Sequence, residues 1–319
     1  MVNRQEQAGR LNDMTASQAE QFESYRPLMI SIAYRMLGTM TEAEDIVQEA
    51  YLRYRTQLPE AIDSHKAFLS TVVTRLCLNR LQSAQAQRET YIGPWLPEPI
   101  LTESSEQFAP AKQAELHDSI SIAFLTLLEQ LTPLERAVLL LREVFDYEYA
   151  EISAVVGKEE AACRQIFSRA KKHVAERHQR FKAAPETHRQ IIDKFMKAIT
   201  TGELEPLVEC LAEDAVVWSD GGGKVKGAAI RPIYGREAIA KFMRARFLED
   251  ANQIALHNEV EIAEVNGELG VILSVKGHVL LVMAMGIDEK VIREIRVIGN
   301  PDKLIWLNKD HSADKGKSS

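Results

Sequence analysis

The sequence predicts a multidomain protein with two all-α blocks, a linker between them, and an α+β domain at the C-terminus. Three observations predict it. The chain has 319 residues, more than one typical domain holds. Apolar residues recur at helical spacing over 18–88 and again over 117–182, while 89–116 carries Gly93, Pro94, Pro97, Pro99 and Pro110. From about residue 186 helical spacing gives way to short apolar runs punctuated by turn residues.

Composition narrows the class. Hydrophobic residues make up 45% and charged residues 27%, ordinary values for a globular protein. No run of 18 apolar residues is present, and the N-terminus has no apolar stretch of signal-peptide length. The expectation is a cytoplasmic protein with no membrane partner. Cys77, Cys163 and Cys210 lie far apart among apolar neighbours without metal-ligand spacing, so no metal site and no cofactor are expected. The net charge is −7, yet residues 158–182 hold eight basic residues against three acidic ones. A local basic stripe of that kind is what phosphate binding requires.

In the first block a helix is expected from Thr41 to about Arg55, with Thr41 and Glu44 as a capping box. Ala43, Ile46, Val47, Ala50, Tyr51 and Tyr54 form its buried face. The opposite face carries Glu42, Asp45, Gln48, Glu49 and Leu52, either a solvated surface or a protein interface. A second helix is expected over 66–88, after a loop with Pro59 and with Asp63 or Ser64 as N-cap. Its polar positions Arg75, Asn79 and Arg80 are read as a solvated surface or as groups that bond bases and phosphates.

The second block reads as a helix-turn-helix. Thr132-Pro133-Leu134-Glu135 is a strong helix start, with a long apolar helix to about Phe145. Tyr149–Val156, a turn at Gly157 and a helix from about Glu159 to His178 follow. Ala162, Cys163, Ile166 and Phe167 face the core. Arg164, Gln165, Ser168, Arg169, Lys171 and Lys172 are left outward, as on a helix that enters a major groove.

Over 186–305 the reading is an amphipathic helix (Ile191, Ile192, Phe195, Met196, Ile199), a short helix, a strand at Ala215–Trp218 and a turn at Asp220-Gly221-Gly222. A helix over Gly235–Phe247 and four strands joined near Asn266-Gly267, Lys276-Gly277 and Asp288-Glu289 complete it. Such a sheet wrapped over helices makes a cone with an apolar cavity. The run Gly221–Gly223 is either a tight turn or a surface that another segment approaches closely; it lacks the context of a phosphate loop. Asp220, His257 and His278 are the groups that a catalytic cavity would have available, and none is assigned a catalytic role.

Three motifs in order carry a family resemblance. Phe22 to Gly38 and Glu42-Ala43-Glu44-Asp45-Ile46-Val47-Gln48-Glu49 resemble region 2 of extracytoplasmic-function sigma factors, and 130–172 resembles region 4. Trp95-Leu96-Pro97-Glu98-Pro99, Asp220-Gly221-Gly222-Gly223-Lys224 and Asn300-Pro301-Asp302-Lys303-Leu304 resemble the sigma-J-like subgroup with a fused SnoaL-like domain. The resemblance implies a tail over 1–17, region 2 over 18–90, a linker over 91–116, region 4 over 117–182, a SnoaL-like regulatory domain over 186–305 and a flexible tail over 306–319. It implies that Glu42, Asp45, Gln48, Glu49 and Leu52 bind the clamp helices of the polymerase largest subunit, with the flap as a further contact. Asp63, Ser64, His65, Lys66, Arg75, Asn79 and Arg80 would read the −10 element, and the outward residues from Arg164 to Lys172 the −35 element. The WLPEP, DGGGK and NPDKL segments would couple the domains. The family acid three residues after Asn79 is here Gln82, which implies a modest grip on −10 phosphates. Two alternatives stay open: a SnoaL-like isomerase or cyclase fused to a DNA-binding module, and a helix-turn-helix regulator with a ligand-sensing domain. A small molecule in the C-terminal cavity is compatible with all three.

Overall fold

The computed structural model describes residues 4–57, 62–88, 90–102, 119–176, 185–249 and 258–308. Pro59, Pro110, Arg177, Arg180, Lys182, His257 and the tail from 309 lie outside the described residues. Contacts divide the described chain into two units. One holds the residues up to Gln85 with Leu128–Glu176; the other holds those of Ala86–Ser104, Lys112–Leu127 and Arg177–Ser319.

The first unit is helical. Helix α1 spans Arg4–Leu37, so most of the segment expected to be a disordered tail is helical backbone. Helix α2 spans Met40–Tyr54 and buries Ala43, Ile46, Val47, Ala50 and Tyr54 as predicted. Its predicted cap is misplaced. The N-cap is Thr39, whose Oγ1 donates to Glu42 at 2.9 Å, and Thr41 lies inside the first turn. Tyr51, expected on the buried face, stays partly exposed, with its ring edge-on to Phe22 at 4.9 Å. Helix α3, His65–Arg88, starts after Ser64, whose Oγ accepts from the Ala67 N–H.

After helix α4 (Ile122–Leu128), helix α5 (Pro133–Leu139) opens with the full predicted capping box of Thr132 and Glu135. It does not continue as an α-helix to Phe145: Leu140–Val144 is a π-helical turn. Helix α6, Tyr149–Val156, ends on Gly157 at φ +68°, a left-handed conformation that glycine adopts without steric cost. Helix α7, Glu160–Ala175, buries Cys163, Ile166, Ala170 and Val174.

The second unit is the α+β fold predicted. Helices α8 (Pro185–Thr201), α9 (Leu204–Glu209) and α10 (Arg236–Glu249) pack on a six-stranded sheet. Its strands are β1 (Leu211–Asp220), β2 (Ile233–Tyr234), β3 (Asn258–Val265), β4 (Glu268–Val275), β5 (His278–Asp288) and β6 (Val291–Ile298), in spatial order β2-β1-β6-β5-β4-β3. The two-residue edge strand β2 was not predicted. Asn266-Gly267 and Lys276-Gly277 both have positive φ at each residue, the geometry of tight hairpin turns.

The central strands are buried on both faces, which their unbroken apolar runs require. Val217, Val271, Met283, Met285 and Ile295 face the helices with Ile192, Phe195 and Met243. Ile272, Val282, Ala284 and Ile298 point the other way, and Leu96, Ile122, Leu304 and Leu307 cover them. The linker and α4 therefore complete the core of the C-terminal fold. Burial of Leu307 and a helical turn through Asn308 correct the expectation of a flexible tail from 306. Asn308 pins that turn by accepting from the Val279 N–H at 2.7 Å.

Candidate functional site

Two sites emerge, one in each unit. The C-terminal unit places the WLPEP, DGGGK and NPDKL segments together around Asp220, at the end of β1 and fully buried. Its Oδ2 accepts from the Leu96 N–H at 2.8 Å and from Lys303 Nζ at 2.6 Å. Its Oδ1 accepts from the Tyr91 hydroxyl and from the Gly222 N–H at 3.1 Å. Four donors thus fill the four acceptor positions of one carboxylate. Lys303 also donates to the Leu96 carbonyl and lies 4.2 Å from the Trp95 ring and 4.9 Å from that of Tyr91. Asn300 donates to Tyr91 Oη at 2.9 Å and caps the turn Pro301–Lys303 by accepting from the Asp302 N–H. Lys224 pairs with Asp302 across the exposed rim at 2.5 Å. Burial and the bond to Asp220 push the Tyr91 phenol well above its ordinary value, which keeps it a donor.

The glycine run is a surface that other segments approach closely. A Cβ on Gly222 would meet the Asn300 side chain at 2.3 Å, and one on Gly223 would meet Ile92 of the linker at 2.9 Å. Both residues also have positive φ. Further along, Leu96 to Ile100 are buried in sequence. Asn266 holds both ends of the following stretch, since its Oδ1 accepts from the Ile100 N–H at 3.0 Å and its Nδ2 donates to the Ile120 carbonyl at 2.9 Å.

In the helical unit, Asp45, Gln48, Glu49 and Leu52 share the exposed face of α2, with Leu52 52% exposed. Glu42 and Asp45 pair with Arg80 of α3 at 3.1 and 3.7 Å, so two of the expected polymerase contacts and one expected −10 reader form one cluster. Asp63, Ser64, Lys66 and Asn79 are exposed, and His65 Nδ1 lies 2.9 Å from the Tyr54 hydroxyl. Arg75 is already engaged. Its Nε and Nη2 donate at 2.9 Å to the carbonyls of Val155 and Ala154, at the C-terminus of α6. There it satisfies carbonyls that a helix end leaves unpaired.

All six outward residues of α7 are exposed. Arg164 pairs with Glu160 at 2.8 Å and sits over Tyr149, Lys171 pairs with Glu143 at 2.8 Å, and Lys172 pairs with Glu176 at 3.9 Å. Such exposed pairs are weak, so a phosphate can replace the carboxylate at little cost. Arg169 makes no ion pair among the described residues.

Residues 21–87 match the sigma-70 region 2 family, and 121–174 match sigma-70 region 4. The chain is 36% identical to the ECF RNA polymerase sigma factor SigJ of Mycobacterium tuberculosis, over 90% of this chain and 93% of that protein. It belongs to the ECF RNA polymerase sigma factors. The probable ECF sigma factor SigI of the same organism is 27% identical over 89% of this chain and 93% of that one. The crystal structure of M. tuberculosis SigJ superposes with a TM-score of 0.71 at 32% identity, covering 89% of this chain and 97% of that one.

In this sigma factor several anchoring residues escaped sequence reasoning. Tyr91 has no periodic neighbour, and Asn266 carries only a turn signal. Arg136, at 2% exposure, donates to the Met36 carbonyl at 2.6 Å and to Glu129 at 2.7 Å, while Tyr147 donates to Ser70 at 2.6 Å. Their partners lie 77 to 209 residues away in most cases, beyond any local pattern. Of the groups weighed for cavity chemistry, Asp220 has its acceptor positions filled, His278 is exposed at the start of β5, and His257 is outside the described residues.

Proposed function

We propose that the chain binds core RNA polymerase through α2, reads −10 and −35 promoter elements with α3 and α7, and is held in a restrained form by its own C-terminal domain. The observation that carries the restraint is the buried Asp220–Lys303 pair closed over the linker. Elements named −10 and −35 lie about 85 Å apart on B-DNA at roughly 3.4 Å per base pair. In the helical unit Arg75 of region 2 instead touches Val155 of region 4 directly. Opening needs linker length. The stretch from 101 to 119 can extend to roughly 60 Å. Its two ends are held by the single side chain of Asn266, so it contributes no reach until it is released.

Run-off transcription with core polymerase tests this, comparing the full chain with Asp220→Ala/Lys303→Met. The expected result is promoter-dependent transcript from both, with more from the variant. No transcript from either overturns the sigma assignment; equal transcript overturns the restraint. Charge reversal at Glu49 and Asp45, both exposed, is expected to weaken core binding at least tenfold by fluorescence anisotropy, with unfolding unchanged. Unaltered binding removes α2 from the interface.

Duplex reading has its own test in the assembled holoenzyme. Gln165→Ala is expected to cost about 1–3 kcal/mol and relax preference at one −35 position, while Lys172→Ala weakens all sequences alike and lowers the salt slope by about one. Base-independent loss from both variants would leave α7 as a phosphate contact alone.

A further inference from the structure

The DGGGKVKG loop has two faces. Its outer face holds the linker, through Asp220, Gly222 and Gly223. Its inner face, at Gly221, Val225 and Ala228, closes a cavity of about 90 Å³ on the helix side of the sheet. Most of the remaining wall is apolar, with Phe242 and Met243 from α10 and Leu273, Leu281 and Val297 from the strands, while Ser219 and Asp220 of β1 add polar groups. Arg246 of α10 is the cationic member of the lining. Gly227 makes room for it, since a Cβ there would meet Arg246 Nη1 at 2.5 Å. The partition between linker and cavity is therefore a strip of mostly glycine backbone.

We infer that this cavity binds a small carboxylate with an apolar body of about one ring, its anionic end toward Arg246, and that the occupant tightens the linker clasp. A water needs about 10–15 Å³ of such volume, so there is room for roughly six, the bulk of one substituted ring. Apolar walls with one convergent cation are the pattern of a ligand pocket that orients a charged group. The coupling follows from linkage. Asp220, Gly221 and Gly299 line the cavity, and Gly299 and Asn300 both donate their N–H groups to the Asp220 carbonyl at 2.9 Å. The clasped form is thus the one in which the wall exists, and a ligand that binds that form stabilises it. The inference rests on the proposed restraint by making the occupant its effector.

Benzoate is the probe, with benzyl alcohol as the neutral ring of similar size. Calorimetry on the full chain is expected to show benzoate binding at least tenfold more tightly, and Arg246→Met is expected to erase the difference. Hydrogen exchange at the Leu96 and Ile100 amides, which donate to Asp220 and Asn266, reads the clasp. Benzoate at ten times its Kd is expected to slow both about tenfold. Leu281→Phe fills the cavity and is expected to abolish binding. Failure of benzoate to bind, equal affinity for both rings, or binding without slowed exchange overturns the inference. The two readings fail separately. Slowed exchange with benzoate, together with equal transcription from the Asp220→Ala/Lys303→Met chain, sinks the restraint and leaves the site. Increased transcription from that chain with no benzoate binding does the reverse.

Discussion

Asp220→Ala is expected to destabilise the C-terminal unit by about 3–5 kcal/mol, read as a lowered denaturant midpoint. The figure follows from what the carboxylate leaves behind. Lys303 is 8% exposed and would be a buried cation without its anion, and the Leu96 N–H would lose its acceptor in a buried segment. The contacts of Lys303 with the Trp95 and Tyr91 rings are present in parent and variant alike and do not offset the loss. Asp220→Ala/Lys303→Met is expected to regain only the part of the loss that comes from the stranded cation, because the Leu96 and Gly222 N–H groups and the Tyr91 hydroxyl still lack their acceptor and the linker stays released. Linker amides in the single variant should exchange much faster than in the parent. A loss below about 1 kcal/mol for Asp220→Ala would show that the pair is not closed in solution.

How much of this was visible in the sequence depended on separation along the chain. The Thr132–Glu135 capping box and the αL stop at Gly157 are written within a few residues, and both appear where the spacing places them. The tight turns at Asn266 and Lys276 were legible for the same reason. Near-misses arose where two local solutions compete: Thr39 and Thr41 are both plausible caps, and the helix starts from the earlier one. The sheet's second buried face was implicit in the unbroken apolar runs of β4 and β5, but nothing local said that Leu96 would cover it. Arg75 shows the limit most clearly. On its own helix it is an outward polar residue, and only the fold brings the carbonyls of Ala154 and Val155 to it, 79 and 80 residues later.

Arg136→Met is expected to cost the helical unit about 3–5 kcal/mol, the range for removing one partner of a buried ion pair. Arg136 lies in α5, and its guanidinium Nη1 reaches the Met36 carbonyl near the end of α1 as well as Glu129. Burial pulls its charged form to a lower pKa, so the folded state holds this cation against a desolvation penalty that its partners offset. Without it, the last turn of α1 keeps an unpaired carbonyl and Glu129 keeps a charge at 16% exposure. The same bond joins the region 2 and region 4 helices, alongside Arg75 on α6 and Tyr147 on Ser70. Its loss is therefore expected to do two things at once: lower the unfolding midpoint and raise amide exchange at the α1–α5 contact before global unfolding. Arg136→Met/Glu129→Gln separates the contributions, since it removes the stranded charge but not the stranded carbonyl, and about half of the loss should return. A variant that unfolds earlier with no local increase in exchange would show that Arg136 stabilises α5 alone and does not tie the region 2 and region 4 helices together.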